Sequence, residues 1–413
     1  MKLGTPGFVA ERLREAREAR GLAAAALAEI VGVSPAAISQ YENGAQSPRP
    51  EVMQAIADKL SLPIRHFLRP MPPRLPGVGI IYRSMSAATR TDRLRAERRQ
   101  GWLREIVAYL RGFVAFPAVN LPSFDVPSDP NEFSDRDIEV IAEKVREYWG
   151  LGFSPISHCI WLAENNGIII AHSELGCEAL DSFSEWAGDT PYVFLGAEKD
   201  CAVRARFNLG HELGHLILHR RVGEKHIRYI PSDLRKMEEQ AHRFAGAFLL
   251  PAKSFGRDVY AVTLEALRSL KPKWKVAIGA MLKRAEHLGF ISERQLQRTW
   301  IAYSRRGWRN REPLDDEIEV ERPRLLTRAF ELIVESGGNV RAEITARGLC
   351  SPRDIESLCD LPAGFLTEEA PKEITSPIVR RLEQAKGRPP KQSSLPTSGA
   401  KIVPFNKSNR KSS

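Results

Sequence analysis

The residues best suited to chemistry in this chain are His211, Glu212 and His215, in the run FNLGHELGHLILH. Two histidines four residues apart lie on one face of a helix, so both imidazoles can reach a single metal ion. Glu212 stands beside them, where a carboxylate can take a proton from an activated water and hand it to a leaving amine. Together they suit metal-assisted amide hydrolysis. A catalytic zinc site needs a third protein ligand and leaves a fourth position for water. The run MEEQAHRFAGAFLLP, whose first glutamate lies 23 residues after His215, offers Glu238 and Glu239, with His242 a further candidate one turn on. His219 continues the row from His215, but a third histidine on a straight row sits too far along the axis to share the ion. It reads as a helix-end or supporting residue.

Positioning these groups requires two helices and a sheet. The pattern predicts a helix over Ala202–His219, with Leu213 and Leu216 facing the core and Gly214 permitting a close backbone approach. A second helix is expected over Asp233–Leu250. Upstream, short β-like runs are expected at Ile168–Ala171, Ala179–Phe183 and Tyr192–Leu195. Such strands can supply an edge along which an extended peptide pairs.

Taken together, RARFNLGHELGHLILH and EEQAHRFAGAFLLP resemble the ImmA/IrrE-type metallopeptidases, over roughly residues 130–310. The resemblance implies Zn²⁺ held by His211, His215 and a glutamate on the second helix, with Glu212 as general base and acid. Aligning Ala241, Phe244 and Ala245 with the family pattern places that glutamate at Glu238, with Glu239 as runner-up. The family usually carries Asn or Asp where this chain has His242, so His242 either orients a metal-binding histidine or ligates the metal itself. The metzincin pattern would need Gly at Leu218 and His at Arg221, and is excluded. The family resemblance further implies a zinc metallo-endopeptidase acting on a protein substrate, with helix-turn-helix repressors as the class its members cut or antagonise.

A second set of residues points to nucleic acid. Leu27-Ala28, Gly32-Val33-Ser34, Ile38, Tyr41 and Glu42-Asn43-Gly44 supply two short helices joined by a tight turn. Ser34 is a natural N-cap, with Pro35 at the first helical position. The run LAEIVGVSPAAISQYENGAQSPRPEVMQAIADKL resembles the lambda-repressor-like, or XRE-type, DNA-binding domain over residues 8–68. That resemblance implies double-stranded DNA as a partner and leaves a homodimer open. The expected DNA-facing residues are Ser34, Ala36, Ala37, Ser39, Gln40, Asn43 and Arg49. Where the family usually presents polar side chains, this chain has Ala23, Ala24, Pro35, Ala36 and Ala37. An alanine methyl can touch a thymine methyl but makes no bidentate hydrogen bond, which predicts weak intrinsic sequence specificity.

At 413 residues the chain is long enough for about two to four domains. Its formal charge of +10 is uneven: +2 over residues 1–70, +6 over 71–115, −6 over 116–370 and +8 over 371–413. A protein that coats polyanions with its whole surface would not concentrate its basic residues this way. Five cysteines without a CxxC pair argue against a disulfide scaffold and fit a reducing compartment. No apolar run reads as a signal peptide or a membrane span, so a cytoplasmic location without a membrane partner is expected.

The expected fold is multidomain and mainly α. An all-α helix-turn-helix bundle (1–69) precedes a Pro/Arg-rich connector containing a helix (70–130) and an α+β zincin domain with a small sheet (131–313). A helical region of unassigned role (314–386) and a basic disordered tail (387–413) follow. The connector and tail are expected to hold phosphate non-specifically. The function that follows is a DNA-binding regulator that relieves repression by cutting a repressor, or regulates transcription directly. The alternative is a non-proteolytic transcription factor whose peptidase-like domain is a sensor or partner-binding module.

Overall fold

The computed structural model describes residues 4–73, 88–174, 176, 180–197, 201–223, 226 and 230–367, with the backbone alone at 81–82 and 402–403. Most of the linker at 70–79, the expected tail apart from Ile402–Val403, and Cys177 lie outside the described residues.

The fold is mainly α with a small sheet. The amino-terminal bundle comprises α1 (Ala10–Ala19), α2 (Ala24–Val31), α3 (Pro35–Glu42) and α4 (Pro50–Leu60). Gly32, at φ +75°, ends α2 in the left-handed conformation that glycine adopts without steric cost. The Ser34 hydroxyl then accepts the backbone N–H of Ala37 and opens α3. Leu13, Ala16, Leu27, Ala28, Ile38, Ile56 and Leu60 fill the bundle core.

Two residues, Ile81–Tyr82 (β1), precede a long helix, α5 (Arg90–Leu110), which begins with a Thr89/Asp92 capping box. Ser123–Phe124 (β2) pairs in parallel with Ile402–Val403. Then come α6 (Asp135–Tyr148) and α7 (Cys159–Asn165), followed by β3 (Ile169–Ser173), β4 (Ser182–Ala187) and β5 (Thr190–Gly196). The sheet order is β1-β4-β5-β3: β3 runs parallel to β5, β4 antiparallel to β5, and β1 antiparallel along the outer edge of β4 at Phe183 and Ser184.

The strands alternate between two separate cores. Phe183, Tyr192, Phe194, Ile169 and Ala171 pack towards α5 and the amino-terminal bundle, with Phe183 and Phe194 stacked at 5.0 Å. Ile170, Trp186, Val193 and Leu195 pack the other way, towards α8 (Ala202–Leu218) and α9 (Pro231–Leu249). A sheet covered on both faces can bury polar residues that in the sequence look like a solvated side. This is why the middle strand, expected at Ala179–Phe183, lies at Ser182–Ala187: its Ser182, Ser184 and Glu185 are buried. Behind α9 lie α10 (Ala252–Asp258), α11 (Leu264–Trp274), α12 (Ile278–His287) and α13 (Glu293–Arg305).

The region from Leu325 to Leu366 folds as α14 (Leu325–Glu335), α15 (Val340–Arg347) and α16 (Pro352–Leu358) and returns to the amino-terminal bundle. Phe330, Ile333, Ile344, Ile355 and Leu358 share one hydrophobic core with the bundle and α5. Across this junction Arg20 donates two hydrogen bonds to Asp354, at 2.6 and 2.7 Å. Arg65 donates to the Ala346 carbonyl, and His66 Nδ1 lies 2.6 Å from the Leu349 carbonyl. On the α5 side, fully buried Arg12 pairs with Glu15 and Glu105.

Five arginines of the described part of the basic connector make contacts within the protein. Arg98 pairs with Glu18, and Arg104 with Glu185. Arg95 donates to the Gly176 carbonyl, Arg99 to the Glu174 carbonyl and Arg111 to Thr190. Of these five arginines, Arg98 and Arg104 have their charge paired within the protein, while the other three donate to neutral groups.

Candidate metal centre and nucleic-acid face

The centre forms where α8 crosses α9. A Cβ on Gly214 would lie 3.1–3.2 Å from Phe244 and the Ala241 backbone, so glycine permits this approach of the two helices. The approach carries Glu238 to the histidine face. His211 Nε2 and His215 Nε2 are 3.0 Å apart, and the Glu238 carboxylate oxygens lie 3.4 and 3.3 Å from them. Among the described residues this is the group whose ligand atoms gather within 4.8 Å of one another. Both histidines are buried, and Glu238 is nearly so. Glu239 is exposed, and so turned away from the pair. His242 packs edge-on against the His211 ring at 4.5 Å, and its Nδ1 lies 2.7 Å from the Glu238 backbone carbonyl. It stands beside the cluster instead of within it.

A chain of hydrogen bonds selects the tautomer of His215. Gln240 Nε2 donates to the Pro130 carbonyl at 2.6 Å, which turns Gln240 Oε1 towards His219 Nε2 at 2.9 Å. His219 Nε2 must then be the donor, so its Nδ1 accepts from His215 Nδ1–H at 2.9 Å. His215 Nε2 is left with a bare lone pair facing Glu238. Burial drives the His219 pKa down to about 3, with the nearby His215 adding to the effect, so the neutral ring this chain requires is the one favoured. His219 thus supports His215 from behind, as its position on the row suggests.

The three atoms fit a metal ion. Glu238 Oε1 is buried without a hydrogen-bond donor, next to a lone pair on His215, an arrangement that repels unless a cation lies between. Ligands about 2.0–2.1 Å from a tetrahedral ion are about 3.3 Å apart, close to the three separations found. Two nitrogens and a carboxylate oxygen are a zinc-type donor set.

Glu212 is fully buried between α8 and β4. Ser182 donates to its Oε1 at 2.6 Å and Ser184 to its Oε2 at 2.7 Å. Burial pushes its pKa up, while the neighbouring His215 and the two hydroxyls draw it back down. These serines are functional candidates that the sequence did not flag; Trp186, two residues on, fastens the same strand to α8 through the Leu216 carbonyl at 3.0 Å.

On the amino-terminal bundle, Ala36, Ser39 and Gln40 of α3 are exposed, as are Asn43 and Arg49; Ala37 is half-buried. The oxygen of Ser34 is engaged as the helix cap, and Asn43 Oδ1 accepts the Ala45 backbone N–H. The face therefore offers Ser39, Gln40 and Arg49 outward, together with the hydroxyl proton of Ser34 and the Nδ2 amide of Asn43.

Residues 13–67 match the helix-turn-helix family, and residues 163–286 match the peptidase M78 family described as the IrrE N-terminal-like domain. The second match contains His211, His215 and Glu238. No curated protein matches the chain. No helix among the described residues is long and apolar enough to cross a membrane.

Proposed function

Starting from a chain that joins a helix-turn-helix domain to an IrrE-like metallopeptidase domain, we propose a DNA-binding regulator that is a zinc-dependent endopeptidase. The observation that carries this reading is the convergence of His211, His215 and Glu238 into a face sized for one ion. Zinc bound there would lower the pKa of a water towards ~7 and polarise a peptide carbonyl. Glu212 takes the proton from the attacking water as its oxygen bonds to the carbonyl carbon. It then delivers that proton to the amide nitrogen as the C–N bond breaks. His219 and Gln240 keep His215 in the tautomer that presents Nε2. The substrate class we infer is a helix-turn-helix repressor, cut to relieve repression, with the protein acting in the cytoplasm.

Delivery to DNA is the role we assign to the amino-terminal domain. The shared core of the bundle, α5 and α14–α16 supports a head carried firmly on the peptidase body. Comparing the proteomes of cells expressing the wild type and Glu212→Gln tests the reading. A repressor that persists only in the variant supports it. Identical proteomes under every inducing condition refute it and favour a non-proteolytic sensor.

A further inference from the structure

Resting on the peptidase reading above, we propose that Ser182 and Ser184 are positioning residues that hold the Glu212 carboxylate in its proton-transferring orientation. The face of the sheet that meets α8 is apolar beside them at Ile170, Trp186, Val193 and Leu195, with buried His172 on the far strand β3. A hydroxyl buried in such a surface is costly unless it is hydrogen-bonded. Both serines are buried, and both spend their donor on the same carboxylate, one on each oxygen.

The strand geometry explains how two serines can share one group. Residues i and i+2 lie on the same face, about 6.8 Å apart, so the hydroxyls reach the carboxylate from its two sides. The terminal torsion of a glutamate is broad and has no sharp minimum of its own. One donor would leave the carboxylate free to turn about that bond; two donors on different oxygens fix its plane. Each carboxylate oxygen has two lone-pair sites, so one remains on each for a water proton. The donors are also neutral. An arginine or lysine in their place would pair with the carboxylate and weaken it as a base, whereas a hydroxyl orients it at smaller cost to its proton affinity.

The test uses the full chain in two arms. In the first, zinc-loaded protein is assayed on a fluorogenic peptide library, with Glu212→Gln as the inactive reference. Ser182→Ala/Ser184→Ala is expected to lower kcat by about 10–100-fold, with KM and zinc affinity held within about twofold. Single Ser→Thr variants, which keep the hydroxyl, are expected to stay within about threefold of wild type. A double alanine variant with wild-type kcat overturns the proposal, and so does one with a raised kcat, which would make the serines a latch that restrains Glu212.

In the second arm the metal-free protein is unfolded in urea, and the double alanine change is made both in the wild-type chain and in the Glu212→Gln variant. The proposal requires a larger fall in midpoint where Glu212 is present, because a buried carboxylate loses more than an amide when its donors go. Equal falls overturn it. If no form cleaves any peptide, the peptidase reading fails, and the clamp on Glu212 is judged on the urea arm alone.

Discussion

Replacing Gln240 with leucine should weaken zinc binding without touching a ligand. Gln240 reaches the metal face only through His219 and then His215, by contacts of 2.9 Å each. Its amide fixes the end of that chain, because Nε2 is committed to the Pro130 carbonyl. Leucine removes the acceptor that keeps the proton on His219 Nε2. The His219 proton can then move to Nδ1, and His215 loses the acceptor that held its own proton away from the metal face. Outer partners of metal-binding histidines are worth about 10–100-fold in affinity. That is about 1.4–2.7 kcal/mol, the size of one buried hydrogen bond left unmade. The Pro130 carbonyl loses its donor too, so a fall of about 1–3 kcal/mol in the stability of the metal-free protein is expected separately. Competition for zinc against a chromophoric chelator measures the first effect, and urea unfolding of the metal-free protein the second. A zinc affinity within about twofold of wild type, in a variant that shows the stability loss, would refute the tautomer argument.

Three further outcomes follow from other parts of the molecule. Asp354→Asn should cost about 1.5–3 kcal/mol at neutral pH, as a charge-assisted pair across the head–body junction is lost. Burial pushes the Asp354 carboxyl up, but Arg20 draws it below the ordinary carboxylate range. Its contribution is therefore full above the unfolded value of about 3.9 and fades as pH falls through the depressed one, so unfolding curves of wild type and variant should converge in acid. Gly214→Ala should weaken zinc binding: the new methyl meets Phe244 and the Ala241 backbone at 3.1–3.2 Å, and overpacking of about 1–3 kcal/mol exceeds the helix-propensity gain of about 1 kcal/mol. Zinc competition reads the result, and unchanged affinity would mean that the helices can separate without moving Glu238. Gln40→Ala should cost about 1–3 kcal/mol of discrimination at one base position, while Arg49→Ala should weaken DNA binding uniformly and flatten its salt dependence. Binding titrations of the full chain at several salt concentrations separate the two.

The metal face was legible in the sequence because its geometry is local. Two histidines at i and i+4 share a helix face whatever surrounds them, and Gly214 marks where a second helix must come close. The turn at Gly32-Val33-Ser34 was legible for the same reason. What supports the face was not. Ser182 and Ser184 are single polar letters on a strand, and from the sequence they look like a solvated side. Gln240 stands beside two glutamates that draw attention to themselves, and its role depends on a carbonyl 110 residues away. The docking of α16 on α1 joins residues 334 apart through Arg20 and Asp354, a distance over which no periodicity speaks. The arginines of α5 are a further case: counted along the chain they are only positive charge, whereas in the fold Arg98 and Arg104 find glutamates and Arg95 a backbone carbonyl.

His211, His215 and Glu238 are proposed to hold one metal ion. Metal analysis of the purified full chain beside Glu238→Ala tests it most directly. The structure predicts about one zinc per wild-type chain and strong depletion in the variant, as expected when a three-residue site loses a ligand. A wild-type chain that takes up no zinc, or a variant that retains it in full, would show that these three residues are not the metal ligands.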